Sequence, residues 1–592
     1  MSSTFGGVEL GKRALQTQQK SMSVAGHNIA NAANENYSRQ RAIQSTTIPY
    51  TSPSLYSSTG AGQVGTGVYV KEISRMRDQF IDNRIWYENQ GLGAWNIRKE
   101  NLQQIEGIYN ELDEGSLKSS LDDFFQYFSN LVGADPESSD STRGAIIQQA
   151  VTLTTQMNHI NASLMEFREH LGSEIENKIS KVNNLTSKIA DLNKQIKAIE
   201  ADTTKAANDL CDERDALIDD LSKMIDIQVT IDSENQAQVS LNGIGIVHGD
   251  DSRKIIAEAN DVSRTSADGK RTYNDGEFDK YTFTIDGNEA HIDSGEIYGL
   301  MTVREEIADQ KMNKLDLLAE SLIEEVNALH RTGYGKSDLG MTEMVSAEQT
   351  NTADPLDGNT STIQVLVNDG TTTTTTDITI NSGDSLADIA SNINSVANVT
   401  ATVNGDRLEI ESAAGYTIDI VDRSTDDEVN AIEELGLRGT GAGRDFFSGS
   451  DASSITVSDQ ILDHPENIAA SSLAADSDGK KGNDYVGNQS IALKIAQLAT
   501  ETSVSGLGNA TFNEFWQTQA SQLGVKISGA KAMENNQKVL LGSLEEKKQE
   551  VSGVSLDEEF TEMIKFQHGY NAASKVVSIM DEMLDTLING II

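Results

Sequence analysis

Residues 146–199 read IIQQAVTLTTQMNHINASLMEFREHLGSEIENKISKVNNLTSKIADLNKQIKAI, with apolar side chains at Ile146, Ala150, Leu153, Met157, Ile160, Leu164, Phe167, Leu171, Ile175, Ile179, Val182, Leu185, Ile189, Leu192, Ile196 and Ile199. Steps of three and four residues over sixteen positions, without a proline, define one face of an α-helix. At 1.5 Å per residue the stretch predicts a rod about 80 Å long. SSDST just before it offers a cap region, and Gly172, amid four-residue steps, is the expected place for a slip in register. A stripe of this length needs cover. The candidates are 76–131 (Phe80, Trp95, Leu102, Ile105, Leu112, Leu121, Phe125, Phe128), 297–330, and 511–550 (Phe512, Phe515, Ile527, Val539, Leu544). These stretches lie far apart in the chain, so an elongated antiparallel bundle is expected.

Two blocks break the helical text. Between 226 and 296, short alternating runs such as IDIQVTI and QAQVSL are separated by Asn-Gly, Asp-Gly and Gly-Asp pairs and predict hairpins. Between 346 and 445, TTTTTTDITI, VTATV, RLEIES and YTIDIVD surround one short helix, SLADIASNINS; 18 acids stand against four arginines and no lysine, a net of −14. Such a surface is expected to face solvent.

Both ends are amphipathic. From Met563 a heptad runs through Phe566, Tyr570, Ala573, Val577, Met580, Leu584 and Leu587, preceded by Leu556 and Phe560, and predicts a coiled-coil seam. At the other end Val8, Leu15, Met22, Ala25 and Ile29 form a stripe that Leu10, Ala14 and Val24 widen. Residues 1–45 hold five bases against two acids, net +3, while 556–592 hold two bases against seven acids, net −5, so the ends attract each other. A pair of helices of about 30 residues has little core against an ordering cost of about 1 kcal/mol per residue. The arms are therefore expected to be mostly disordered in a free monomer and to order on packing with other copies.

Composition narrows the function. Across 592 residues the net charge is −44, which repels phosphate backbones and anionic lipid and disfavours nucleic-acid or membrane-surface binding. Cys211 is the single cysteine, so no intrachain disulfide exists; it is read as a buried, inert thiol. No run of 18 apolar residues occurs, and the opening residues lack a signal-peptide stretch, which predicts a cytoplasmic chain or export by a route that reads no cleavable signal. Gly60, Gly62 and Gly65 spell G-x-G-x-x-G but precede a strand-like run, the wrong context for a nucleotide loop. Asp476, Asp478 and Asp484 would place Gly487 where a calcium loop needs glutamate. His159 and His170 are eleven apart, and no nucleophile elbow, Walker loop or CxxC is present. With 5% aromatics the chain offers few stacking platforms for sugars. No catalytic, metal or cofactor-binding residue is predicted.

NIANAANENYSRQ, 28–40, resembles the N-terminal signature shared by axial proteins of the bacterial flagellum, and its YSRQ ending is similar to that of the hook-associated protein 1 family. The run SGVSLDEEFTEMIKFQHGYNAASKVVSIMDEMLDTLIN, 552–589, is similar to the tail shared by that family and the hook protein. DLCDERDALIDDLS (209–222), EEVNALHRTGYG (324–335) and FFSGSDASSITVSDQILDHPENIAAS (446–471) favour the former. The block 363–421 looks like the insertion motif of flagellins, hook-associated proteins and filament caps. Two departures stand out. Asn36 replaces the glycine usual before YSRQ, which a residue tolerant of positive φ can do, and Gly569 costs about 1 kcal/mol in a helix interior, which predicts local loosening of the tail.

The resemblance implies a structural subunit of the first junction ring between hook and filament, without catalytic chemistry. It implies a homo-oligomeric ring, hook protein and a second hook-associated protein as neighbours, an export chaperone on the C-terminal helix, and an extracellular place after type III export. The expected assembly interface comprises Leu10, Leu15, Met22, Ile29 and the signature residues Asn28, Asn31, Tyr37 and Arg39, with Leu556, Phe560, Met563, Phe566, Tyr570, Ala573, Val577, Met580, Leu584 and Leu587 opposite. Another axial protein, hook-type or filament-type, remains an alternative because the ends are shared; a surface adhesin would not need both ends to match. The expected fold is mainly α with β-rich insertions: terminal helices paired as a coiled coil (1–50 and 545–592), an elongated helical rod (51–225, 297–345 and 446–544), a β-rich insertion at 226–296 and an acidic, outward-facing one at 346–445.

Overall fold

The computed structural model describes residues 6–48, 65–109, 115–134, 139–202, 205–259, 264–265, 271–272, 281–331, 333–335, 343–346, 349, 351–369, 372–423, 431–435, 437, 445–472, 489–504 and 506–589. Helix α1 (Gly6–Ala30) leads into the antiparallel pair β1 (Gln40–Thr46) and β2 (Val68–Arg75). Helices α2 (Gln79–Tyr109), α3 (Leu117–Val132), α4 (Asp140–Glu200) and α5 (Asn208–Met224) follow. After the first sheet block come α6 (Gly295–Glu306), a π-helical turn (Ile307–Met312) and α7 (Asn313–Arg331). The acidic block carries α8 (Leu386–Ile393) and α9 (Ala431–Glu434), and the chain ends through α10 (Asp459–Asp463), α11 (Ser490–Gln497), α12 (Phe512–Ser552) and α13 (Leu556–Asn589).

Helix α4 is the spine. Its 61 residues span about 90 Å, and every stripe position is buried except Ile199 at the exposed end. It passes Gly172 without a break; a Cβ there would lie 2.9 Å from the Tyr281 hydroxyl, so the glycine marks a close approach and not a slip in register. Helices α2 and α12 run antiparallel, stacking Tyr109 on Trp516 with ring centroids 4.6 Å apart. Ser116 caps α3, and a Thr511–Glu514 capping box starts α12. Phe124, Phe125 and Phe128 of α3 meet Phe446, Phe447 and Phe512 in one aromatic cluster. Two of the three internal stretches of the resemblance, 324–335 and 446–471, interlock here: Asn327 Oδ1 accepts from the N–H groups of Phe446 and Phe447 at 2.9 Å, and His330 Nε2 accepts from Ala469 N–H. Phe80 and Val539, expected to cover the stripe, are exposed because their helices turn other residues inward; Leu112 lies outside the described residues.

The block 226–296 forms a four-stranded antiparallel sheet, β3 (Gln228–Ile231), β4 (Ala237–Leu241), β5 (Ile244–His248) and β6 (Asp251–Ser252), and a three-stranded one built on the segments 255–259, 281–285 and 288–290. Asn242-Gly243 and Asp286-Gly287 turn the hairpins with φ of 46° and 81°, and 51° and 78°, the positive pair that a two-residue primed turn needs. The sheets share the rod's core. Asn193 of α4 holds Ala237 on both N–H and C=O, and Asn183 does the same for Ile255. The acidic block, by contrast, has its own core: two three-stranded sheets and α8, capped by Ser385 and Asp388, enclose Ile363, Val365, Ile389, Ile410 and Ile420.

Where α5 meets α2 and the start of α6 the backbones nearly touch. A Cβ on Gly93 would lie 2.2 Å from the Lys223 carbonyl oxygen, and one on Gly295, at φ 90°, would lie 2.5 Å from that of Met224. Burial beside this crossing pushes the Asp226 carboxyl up to about 6, although it accepts from Asp293 N–H at 3.1 Å. A raised carboxyl binds its proton more tightly when folded, so its contribution to stability falls as pH climbs from about 4 to about 6. Asp226→Asn is expected to raise the unfolding free energy at pH 7.5 by about 1 kcal/mol, discounted for partial exposure, with no gain at pH 4. Thermal melts at the two pH values check this; an equal effect at both refutes the ionisation.

Candidate assembly interface at the terminal helix pair

Helices α1 and α13 pack antiparallel through small residues. A Cβ on Gly7 would meet Met580 Sδ at 2.7 Å, one on Gly11 would meet Val577 Cγ2 at 2.5 Å, and one on Gly569 would meet Gln18 at 2.9 Å. Gly569 is thus a point of close approach between the helices, where the sequence suggested local loosening. On its other side α1 rests on the β1–β2 hairpin: Thr17 Oγ1 donates to Val68 O at 3.1 Å, Arg13 to Thr66 O at 3.2 Å, and Gln44 Nε2 to Ser21 Oγ at 3.1 Å.

At the end of the pair the signature 28–40 forms an elbow between terminal helices and rod. Asn28 is buried, accepts from the Tyr37 hydroxyl at 2.7 Å and from Gln40 N–H at 3.0 Å, and donates to Gln40 O and to Glu559 Oε2. Burial, then the nearby carboxylates Asp209, Asp212 and Glu559, push the Tyr37 phenol far up and keep it a donor. Arg39 pairs with Glu559 at 2.7 Å and Glu558 at 2.8 Å, and its backbone N–H donates to Ser552 O. Ser38 donates to Asp212 through both N–H and Oγ, and Gln40 Nε2 donates to Asp209 at 2.7 Å. Beneath them Asp212 and Asp215 of α5 hold Arg75 at 2.9 and 2.7 Å, and Asp215 also takes Arg77 at 3.1 Å and Arg214 at 3.0 Å. The turn before YSRQ does not use positive φ at Asn36; Asn34 Oδ1 accepts from Asn36 N–H at 3.1 Å, and that side-chain bond closes it.

Sixteen of the eighteen residues expected at the interface fall into three groups. Asn28, Tyr37, Arg39 and Ala573 are brought together in the elbow or seam. Met563, Phe566, Val577, Met580 and Leu584 on α13, and Leu15, Met22 and Ile29 on α1, are half-buried. Leu10, Leu556, Phe560 and Tyr570 are exposed. Asn31 bonds locally to His27 O, away from α13, and the Leu587 side chain lies outside the described residues. Of the five bases in 1–45, Arg39 is the one with an ion pair to α13 among the described residues; Arg13 and Lys12 pair with Glu9 on their own helix. The sequence reading missed Gly7, Gly11, Glu559 and the arginine–aspartate cluster. A four-residue spacing of glycines, as in Gly7-x-x-x-Gly11, is the signal that marks close helix approach.

Among the described residues no three His, Cys, Asp or Glu side chains gather to hold a metal ion, and no helix is long and apolar enough to cross a membrane. Burial pushes the Cys211 thiol up, so it is poorly nucleophilic. The glycine-rich positions 60–62 and the aspartate loop 476–487 lie outside the described residues.

Comparison with known proteins gives consistent findings. A family described as the flagellar hook-associated protein FlgK helical domain matches residues 102–342. The C-terminal family of flagellar basal body rod FlgEFG proteins matches 546–590, and the flagellin hook IN motif matches 362–414. Flagellar hook-associated protein 1 of Bacillus subtilis is 27% identical over 100% of this chain and 99% of its own length. The protein of that name from Salmonella typhimurium is 28% identical over 97% and 98%. Among solved structures, the flagellar hook junction protein FlgK from Burkholderia pseudomallei aligns with a TM-score of 0.49 at 16% identity, covering 79% of this chain and all of that one.

Proposed function

We propose that the chain is a member of the flagellar hook-associated protein 1 family, a structural subunit of the bacterial flagellum that forms the junction between hook and filament. One observation carries the reading. The two termini make a helix pair too thin to hold itself: along the described side chains of α13 only Glu559 and Ala573 are buried, while Leu556, Phe560, Ile564, Val576, Ile579 and Met583 stand exposed beside the seam. Ordering costs about 1 kcal/mol per residue, so the missing burial must come from neighbours, and copies of the same chain in a ring supply it. Hook protein below and a second hook-associated protein above complete the junction on this reading. Before assembly an export chaperone covers α13, whose exposed apolar side is an aggregation hazard. Passage through a type III channel unfolded is compatible with a chain that has one cysteine to misoxidise and five prolines to isomerise. Its role is architectural, with no reaction of its own.

Amide hydrogen exchange on the purified monomer tests this coupling of order to assembly. Residues 6–30 and 556–589 are expected to exchange fast beside a protected α4, and to become protected in assembled flagella. Strong protection of both ends in the monomer would overturn it.

A further inference from the structure

Helix α12 carries large apolar side chains on two opposite sides. Trp516, Leu523, Ile527 and Ala530 are buried against the bundle. At about 100° per residue, Val525, Met533, Val539 and Leu540 lie within an arc of about 120° on the far side, and they are 73%, 40%, 74% and 50% exposed. The antiparallel register with α2, fixed by Gly91 against Gln537 and by Lys99–Glu534 at 3.0 Å, brings Tyr87, itself 61% exposed, level with Leu540. A rod helix in water should turn polar residues outward; this one sets four large apolar side chains among Thr518, Gln522 and Asn536 there, and no described element covers them.

Charge says what does cover them. The chain carries −44, yet α12 holds five lysines and five glutamates, net zero, and α2 nets −1, while 346–445 nets −14. A basic partner would seek the acidic block. A second copy, carrying the same −44, can approach only where local charge is near zero, since repulsion is screened over about 8–10 Å. Along the chain, exposed apolar side chains resume just past residues 553–555 with Leu556, Phe560 and Ile564 of α13. We propose that the α2/α12 face of the rod packs against a second copy of this chain, so that contact between copies runs from the terminal helices up the rod. This rests on the ring reading above.

Single-cysteine variants test it, with buried Cys211 as a silent background. Val539→Cys, Ile579→Cys on α13 and Thr375→Cys in the acidic block are each probed with a bulky maleimide as monomer and in intact flagella. Val539→Cys is expected to label at least tenfold more slowly after assembly, and a benzophenone placed there before assembly to give a covalent dimer of this chain on irradiation; Thr375→Cys labels equally in both. If Ile579→Cys is protected but Val539→Cys is not, the rod contact is wrong and the terminal-helix reading stands. If neither is protected, both fall. A photoproduct containing a different protein overturns the choice of partner.

Discussion

Gly11→Leu is expected to abolish assembly while leaving the rod folded. Even an alanine Cβ at this position sits 2.5 Å from Val577 Cγ2, and behind that methyl lie Val577 N at 3.6 Å and Ala573 O at 3.7 Å. Rotating Val577 relieves the first contact but not the backbone, so the larger side chain must drive α1 away from α13. Overpacking costs about 1–3 kcal/mol in a well-supported core; here it falls on a pair with almost no private burial, and the pair opens. Expected results are export at wild-type level, an unchanged melting temperature for the rod, and loss of swimming with unpolymerised filament subunits shed to the medium. Gly6→Ala and Gly26→Ala, whose added Cβ meets nothing within 4 Å, serve as matched controls and should swim normally. Normal filaments on cells carrying Gly11→Leu would refute the seam as the determinant of assembly.

The periodic part of the fold was legible because burial of a long helix is a local property of its sequence. From Ile146 to Ile196 each apolar step is paid for by the same rod core, so a period of 3.6 residues read in one dimension survives in three. Strands such as Thr373–Ile380 and Arg407–Ser412, and the capped helix α8, were legible for a similar reason: alternation and turn chemistry are local. Contacts between distant segments left weaker traces. Hydrophobic stripes at Leu15, Met22 and Ile29 pointed to a face of α1 that is only half-covered, because the helices meet through glycines that a hydrophobicity pattern does not register. Glu559 reads as one acid among 91, and only the fold shows it accepting from Asn28 and pairing with Arg39. The π-turn that carries Lys311 into the core, where it donates to Gln519 O at 3.1 Å, has no sequence signature of its own. Likewise the resemblance marked DLCDERDALIDDLS as characteristic without saying what it does; in the fold its acids anchor the elbow.

That anchoring yields the second large effect, on Asp215→Ala. Asp215 is buried and contacts Arg75, Arg77 and Arg214, the last almost wholly inaccessible to water. Removing one member of a buried ion cluster leaves the others charged and desolvated, at a cost of about 3–5 kcal/mol. Urea titration at pH 7 is therefore expected to show the unfolding midpoint falling sharply, whereas Asp220→Ala, which breaks an exposed pair with Lys223, should change it by about 0.5 kcal/mol or less. Acid separates charge from packing. Burial by itself raises the Asp215 carboxyl, but Arg75, Arg214 and Arg77 together outweigh that and hold it below its ordinary 3.8. A carboxyl depressed in the folded state contributes stability that is present above the unfolded value and is lost as pH falls through the folded one. The gap between wild type and Asp215→Ala should accordingly be widest near neutrality and narrow below about pH 4, as protonation removes from the wild type what the substitution has already removed from the variant. A gap that stays constant from pH 7 to pH 3 would mean that Asp215 supports the elbow by shape alone. In that case the arginines at 75, 77 and 214 must find their compensation in Asp82, Asp212 and the Asn235 carbonyl, which already bond to them.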